Sequence, residues 1–403
     1  MSRLRTALLA WDYPPAPSGL STAAREIAES LSALGLAVTV YTLDRIGTEE
    51  RGGVTIRGLA LAPDSPLARL RRWGSAGHLA APLAFRRAVL RDHARVPFDC
   101  IEATNWYAPA ALLVGAAPPL VTRNSTPAAF TRGPAASLRD RLDGLAANRL
   151  ERRQARGSAG LISNTAAHAD RMVELYDLRP AQPHAVIGLS LPPDRLERGR
   201  AASYPDVLEP VRLLFVGRAE HRKGFDGLLA AAAILAAEAE AGTVPPFRID
   251  LVGVPEADLP SDVPASARRR LRALGRVDAP ALDAAYAACH AVLAPSRYES
   301  FGLVYQEALA YGRPVVACAE DASARAFVGE PEAGLLARAA TGAALADAIR
   351  PLLGDPALRL RLRANALAAS GAYDRARLGA ETLALYERAI AAAVPTAAVR
   401  QGR

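Results

Sequence analysis

Ser296-Arg297-Tyr298-Glu299-Ser300-Phe301-Gly302-Leu303-Val304-Tyr305-Gln306-Glu307-Ala308 sets two carboxylates around the start of a helix whose pattern is mostly apolar. Upstream, Ala291-Val292-Leu293-Ala294 reads as a short buried strand; downstream the helical pattern stops at Gly312, before Pro314 and a second strand, Val315-Val316-Ala317-Cys318. The segment is therefore strand, loop, helix, strand, the unit of a parallel sheet. Backbone N–H groups of Phe301, Gly302 and Leu303 lie at the helix N-terminus, where unpaired donors and partial positive charge favour a phosphate, and Gly302 lets a ligand come close. Glu299 falls in the loop before the helix and Glu307 about two turns along it. A carboxylate near a diphosphate is unfavourable unless sugar hydroxyls need an acceptor. Spacing alone also allows a capping Glu299 and a surface Glu307.

A second block has the same logic. Leu214-Phe215-Val216-Gly217-Arg218-Ala219-Glu220-His221-Arg222-Lys223-Gly224 reads as a strand from Arg212 to Val216 that turns at Gly217 and enters an alanine-rich helix around Gly227 to Glu240. Arg218 and Lys223 then sit at the carboxyl end of a strand, where open parallel sheets bind ligands. A guanidinium grips two phosphate oxygens, and an ammonium acts as a point charge.

Both blocks, in this order and about eighty residues apart, resemble the donor-site elements of family 4 retaining glycosyltransferases (glycosyltransferase group 1). There two glutamates separated by seven residues bracket a Ser-Phe-Gly turn, and a strand ending in Gly-Arg is followed by Lys-Gly. The resemblance implies an α/β chain with the GT-B fold, two facing Rossmann-like parallel-sheet domains with an interdomain cleft. It implies a retaining, metal-independent enzyme that uses a UDP- or GDP-linked sugar as co-substrate and needs no further cofactor. By resemblance Glu307 binds the ribose, Glu299 a donor-sugar hydroxyl, and Arg218 and Lys223 the diphosphate, assisted by the amides of Phe301, Gly302 and Leu303. Val277, after Gly275-Arg276, meets the base through its backbone. The catalytic set is Arg218, Lys223 and Glu299, with no enzyme nucleophile, since leaving-group oxygen can deprotonate the acceptor.

Length and composition fit such an enzyme. At 403 residues and 51% hydrophobic content the chain can bury two cores. Its formal charge of +8 comes largely from arginines scattered among alanines, as in Arg69-Leu70-Arg71-Arg72 and Arg268-Arg269-Arg270, without interleaved aromatics, which disfavours nucleic acid. An anionic nucleotide sugar, or peripheral contact with an anionic membrane, accounts for the excess better. Cys100, Cys289 and Cys318 are isolated and show neither disulfide nor zinc spacing, as expected in the cytoplasm. The apolar run Ala7 to Trp11 is too short for a signal peptide, and the one from Leu228 to Ala241 is too short to span a bilayer.

Alternating strands and helices run through both halves. Strands are expected at Thr6–Ala10, Ala37–Thr42, Cys100–Ala103, Leu120–Arg123, Gly160–Ser163, Arg212–Val216, Arg248–Val252, Ala291–Ala294 and Pro314–Ala317, with a first helix Ser21–Leu34. Residues 1–195 form an acceptor-binding domain and 210–372 a nucleotide-sugar-binding domain, Leu191 to Pro210 reading as a linker. In 373–403 a helix from Ala380 to Ala393 packs back on the first domain, as in similar proteins.

The loop Pro14-Pro15-Ala16-Pro17-Ser18-Gly19 lies where relatives carry a glycine pair, with Ser18 replacing one glycine and Gly19 left to bring amides to donor or acceptor. Where many relatives place a histidine, this chain has Asn124, which cannot take a proton as imidazole does; the asparagine-glycine pair usual near the junction is missing, the local sequence being Val186-Ile187-Gly188-Leu189-Ser190. Glu102, Asn105 and Trp106, after a strand, join Asn124 as acceptor-pocket candidates. His168, His184 and His221 show no ligand spacing and read as surface. The acceptor, whether saccharide, lipid-linked glycan or small metabolite, is not legible. Two further readings use the same residues: a sugar-nucleotide epimerase, and a non-catalytic nucleotide-sugar-binding partner of a transferase.

Overall fold

The computed structural model describes residues 3–16, 18–63, 65–70, 73–116, 118–206 and 210–393. Pro17 of the first loop, Arg71 and Arg72 of the basic run, 207–209 of the expected linker and 394–403 lie outside the described residues. Two compact units divide the chain, Met1–Ser190 with Arg375–Arg403, and Leu191–Asp374.

The first unit contains β1 (Arg5–Leu9), β2 (Ala37–Thr42), β3 (Ile46–Arg51), β4 (Val54–Leu59), β5 (Cys100–Thr104), β6 (Leu120–Asn124), β7 (Gly160–Ser163) and β8 (His184–Val186). They form one sheet in the order β3-β4-β2-β1-β5-β6-β7-β8. The β3–β4 pair is antiparallel, turning at Gly52-Gly53 with φ of +60° and +74°; both values suit the tight hairpin turn that only glycine enters without strain. The other strands pair in parallel, and β1, β5, β6 and β7 are almost wholly buried. Covered on both faces, these strands bury successive positions alike, so β5 and β6 hold buried polar residues such as Glu102 and Asn124 among their apolar ones. The final helix, Arg375–Ala393, packs on the first helix, Gly19–Ala33. Buried Glu26 of the first helix takes two bonds from Arg375 and a third, at 2.9 Å, from the Ser190 hydroxyl.

The second unit is a parallel sheet of β9 (Val211–Val216), β10 (Phe247–Val252), β11 (Leu271–Gly275), β12 (Ala291–Ala294), β13 (Val315–Cys318) and β14 (Gly334–Ala337), ordered β11-β10-β9-β12-β13-β14. Leu213, Phe215, Ile249 and Leu293 from the strands and Leu228 and Leu235 from the Phe225–Glu240 helix anchor its core. Burying each such side chain contributes about 1.5–3 kcal/mol. The chain leaves β9 toward β10 and returns to β12 on its other side. The order therefore reverses between β9 and β12, and crevices at the carboxyl ends of such strand pairs hold ligands in open α/β sheets. In the first unit the same reversal falls between β1 and β5.

One expectation fails here. Leu191 to Pro210 is no bare linker: it opens the second unit and carries a helix, Pro193–Ala201, with proline at its start, where a missing N–H costs nothing. Prolines that suggest a connection instead begin a helix, and its Arg195 is buried.

Candidate functional site

The two sequence blocks meet at the reversal point of the second unit. After β9 the chain passes Gly217 and Arg218, makes a single turn at His221–Lys223, and enters the Phe225–Glu240 helix through Gly224. Gly224 has φ of +68°, and a Cβ there would collide with the Pro295 carbonyl just after β12. Only glycine lets the loops touch. Their contact is then fixed by Arg297 N–H donating to the Arg222 carbonyl at 2.8 Å and by Arg222 donating to the Tyr298 carbonyl at 2.9 Å. Arg297 also forks onto Asp226 at 2.8 and 2.9 Å.

Glu299 is the centre of this contact. It is 9% exposed, and its carboxylate takes the Lys223 ammonium at 2.5 Å, the Ser296 hydroxyl at 2.7 Å and the Arg222 guanidinium at 3.2 Å. Burial alone would raise its pKa, but Lys223 and Arg222 outweigh that and hold it down at about 2. Glu299 is therefore an anion at any working pH. Asp321 stands behind it, accepting the Glu299 N–H at 3.1 Å and the Tyr305 hydroxyl at 2.7 Å. Burial, and after it the Glu299 charge, push the Asp321 carboxyl up to about 6.

That shift has a sign that can be measured. The folded chain holds the Asp321 proton more tightly than the unfolded chain, whose aspartates titrate near about 4. Its contribution to stability is thus full below about 4 and is lost as pH rises through about 6. Glu299 runs the other way, its contribution being present above about 4.3 and lost as pH falls toward about 2. We expect Asp321→Asn, which keeps a neutral acceptor, to flatten the decline in the urea midpoint of the second unit between about pH 4.5 and 7. An unchanged slope would mean that Asp321 does not carry it.

The Leu303–Ala310 helix follows, with Gly302 at its N-cap in the left-handed region, φ +83°. Its first turn leaves N–H groups without intrahelical acceptors, but the three residues expected at a phosphate differ in exposure. Phe301 is buried against Phe327 and Tyr373, Gly302 is buried, and Leu303 is half-buried. Glu307 is 9% exposed and paired on both oxygens, to the Tyr286 hydroxyl at 2.7 Å and Arg195 at 2.5 Å. Arg195 also binds Asp283 at 2.8 Å. Arg195 sits in the stretch read as a linker, and no spacing signal ties it to Glu307, 112 residues away. Arg218, by contrast, is two-thirds exposed and paired with Glu220 at 2.8 Å, while Val277 follows β11, half-buried.

In the first unit Gly19 is exposed at the start of its helix. Ser18 caps that helix, accepting the Ser21 N–H at 2.9 Å and donating to Asp12 at 2.7 Å, so the serine in place of a glycine supplies the cap. Three of the four acceptor candidates face inward. Glu102, on β5 rather than after it, binds Arg123 at 2.7 Å and accepts the Tyr386 hydroxyl of the final helix at 2.7 Å. Asn105 is fully buried, its side chain holding the Ser125 N–H at 2.7 Å and the Tyr176 hydroxyl at 2.8 Å. Asn124 is fully buried too, donating to Ser163 at 3.0 Å. These residues brace the sheet rather than line a pocket, because alternate positions on a doubly covered strand both point into the protein. His168 is likewise 2% exposed, its pKa pushed by burial down to about 4, and His184 is half-buried; only His221 is at the surface, as expected.

Trp106 differs. With Trp11, His78 and Tyr107 it lines a cavity of about 240 Å³. Trp11 follows β1 and Trp106 follows β5, so the cavity opens at the reversal point of this sheet. The Trp11 indole donates to the Trp106 carbonyl at 2.8 Å, Trp106 meets Tyr107 edge-on at 4.9 Å, and Tyr107 stacks on His78 at 5.4 Å.

Comparison with known proteins bears on these sites. Residues 202–368 match the family described as glycosyl transferases group 1, and residues 18–189 match a glycosyl transferase 4-like domain. A D-inositol 3-phosphate glycosyltransferase of Frankia alni is 31% identical over 357 residues, 82% of this chain and 84% of that protein. The chain belongs to the group 1 glycosyltransferases. A second such relative, from Kribbella flavida, is 31% identical over 75% of this chain and 74% of its own, whereas a match to one from Catenulispora acidiphila, 36% identical, spans 40% of each chain. The glycosyltransferase shares its GT-B fold with the sucrose-phosphate synthase of Thermosynechococcus elongatus, TM-score 0.74 at 22% identity, over 97% of this chain and 100% of that one. It shares it also with Anabaena HepE, solved with UDP and glucose, TM-score 0.65 at 20% identity over 95% and 100%. Both glutamates and both basic residues of the sequence blocks lie inside the group 1 match.

Proposed function

We propose that this glycosyltransferase moves a sugar from a UDP- or GDP-linked donor to its acceptor with retention of anomeric configuration and without a divalent metal. The observation that carries the reading is the Lys223–Glu299–Arg222 cluster, assembled from the loops after β9 and β12 beside a helix N-terminus. In it Lys223 and the amides near Gly302 neutralise the diphosphate, Glu299 accepts a donor-sugar hydroxyl, and Glu307, fixed by Arg195 and Tyr286, receives the ribose. Arg218, exposed and paired with Glu220, adds a charge at the edge. As the bond to the leaving group breaks, negative charge grows on the diphosphate, and fixed donors stabilise it most at that moment. Trp106, with Trp11 and Tyr107, offers the acceptor an apolar wall. The work is cytoplasmic, with peripheral contact to the membrane.

A panel of nucleotide sugars tests the reading, with and without acceptors, beginning with the D-inositol 3-phosphate named for the curated relatives. Acceptor-dependent release of nucleoside diphosphate is expected. NMR of the product's anomeric centre should show the donor's configuration; inversion would require a general base in the first unit and would overturn retention. Exhaustive chelation should leave turnover intact, since in this reading Lys223 and Arg218 supply the positive charge that a metal otherwise brings. Loss of activity that magnesium or manganese restores would overturn metal independence.

A further inference from the structure

The outer face of the Leu138–Arg156 helix carries a feature that sugar transfer does not use. Leu138, Leu142 and Leu145 are 72%, 52% and 57% exposed, and their spacing places them on one stripe. Trp73, 76% exposed, lies near the same helix: it precedes the Gly74–Leu79 turn, which packs against it. Exposed large apolar side chains grouped in this way mark a surface that something covers.

Charge indicates what covers it. At about 100° per residue, Arg149 and Arg153, both exposed, continue the leucine stripe along the helix. The acidic residues of the same helix, Asp140, Asp143 and Glu151, fall on the half that holds buried Ala147 and Gln154. Glu151 is buried beneath Tyr107 and Tyr176, and Asp143 pairs with His78. Asp177 offsets Arg152 and Arg156 at the last turn, whereas among the described residues Arg149 and Arg153 have no ion-pair partner, Arg153 donating instead to the Ala111 carbonyl at 3.3 Å. Leucines and a tryptophan at one end and arginines at the other, with carboxylates turned away, suit a helix lying in the headgroup layer of an anionic bilayer.

We infer that the Trp73, Leu138, Leu142 and Leu145 face, with Arg149 and Arg153, docks this glycosyltransferase on anionic phospholipid. The inference deepens the membrane contact proposed above and names its surface, but it does not depend on the chemistry of transfer. Flotation with phosphatidylcholine vesicles, pure or containing about 30% phosphatidylglycerol, is the test. The full chain should float with the anionic vesicles and not with the neutral ones. Leu138→Ser/Leu142→Ser/Leu145→Ser should weaken that binding by at least about tenfold, and Arg149→Glu/Arg153→Glu should abolish the preference for anionic lipid. Brominated lipid should quench the wild-type tryptophan emission and spare that of Trp73→Phe. The calorimetric transition of the first unit, which holds the substituted residues, should be the same in every variant and shows that each is folded; nucleoside diphosphate binding, which belongs to the second unit, should also be unchanged and keeps this test separate from that of the donor site. Absence of flotation, or variants that float like the wild type, overturns the inference. So does a wild-type dimer that the leucine variant dissolves, because the face then belongs to a second copy of the chain.

Discussion

Arg195→Ala should lower the stability of the second unit by about 3–5 kcal/mol, the largest effect expected of any substitution outside its apolar core. Arg195 is 7% exposed and stands between two carboxylates that are themselves 9% exposed, Asp283 and Glu307. Removing it strips the fork from both at once. Arg198 still reaches Asp283 at 2.9 Å and Tyr286 still donates to Glu307, but neither restores the lost charge beside Glu307. Burial raises the cost of each uncompensated anion. Two units need not unfold together, so scanning calorimetry is the suitable measurement. The transition of the second unit should fall by about 6–20 °C, while that of the first stays in place. If Glu307 receives the ribose as proposed, donor binding should weaken as well, because Glu307 loses the partner that fixes it. A shift below about 2 °C would mean that the network relaxes around the gap and that Arg195 does not hold Glu307.

The strands β1, β2, β5, β6, β7, β9, β10, β12 and β13 were legible from their apolar residues, in short runs as at β12 and β13 and in alternation as at β10. β3 was not: Ile46 to Arg51 has all six residues exposed, so no apolar alternation marks it, and only Gly52-Gly53 hints at the hairpin. The two charged sequence blocks were legible for a different reason. Gly224 and Gly302 occupy left-handed backbone, and the charges around them are local in sequence. What joins the blocks was hidden. Asp321 and Arg195 reach Glu299 and Glu307 across 22 and 112 residues, and no local rule links positions that far apart. The acceptor candidates show the opposite failure. Glu102, Asn105 and Asn124 are polar residues on or just after strands whose ends bind ligands, yet Glu102 pairs with Arg123 and with Tyr386 of the final helix, Asn105 with Ser125 and Tyr176, and Asn124 with Ser163, all inside the first unit. Polarity near a strand end is shared by bracing networks and by sites; only burial tells them apart.

The contact between Lys223 and Glu299 alters what substitutions there should do. With the residues taken separately, losing either Arg218 or Lys223 costs one charge-assisted contact to the diphosphate. In the folded protein they are unequal. Arg218 is two-thirds exposed, and solvent screens its pair with Glu220; Lys223 is 18% exposed and lies against a buried anion. Lys223→Ala should therefore weaken nucleoside diphosphate binding by about 1.5–3 kcal/mol, leave monophosphate binding nearly unchanged, and lower kcat by about 10²–10³. Arg218→Ala should do less on each measure. It should also leave the Glu299 pKa alone, whereas Lys223→Ala removes the largest influence holding that pKa down. Glu299→Gln has the opposite sign on binding. It keeps a partner for the Ser296 hydroxyl but frees the Lys223 ammonium, so the diphosphate should bind as tightly as to wild type or more tightly, while turnover of the sugar donor falls. Calorimetry with mono- and diphosphates, beside steady-state kinetics, reads both effects. If Lys223→Ala binds diphosphate as wild type does, the ammonium serves only to neutralise Glu299, and the donor site lies elsewhere.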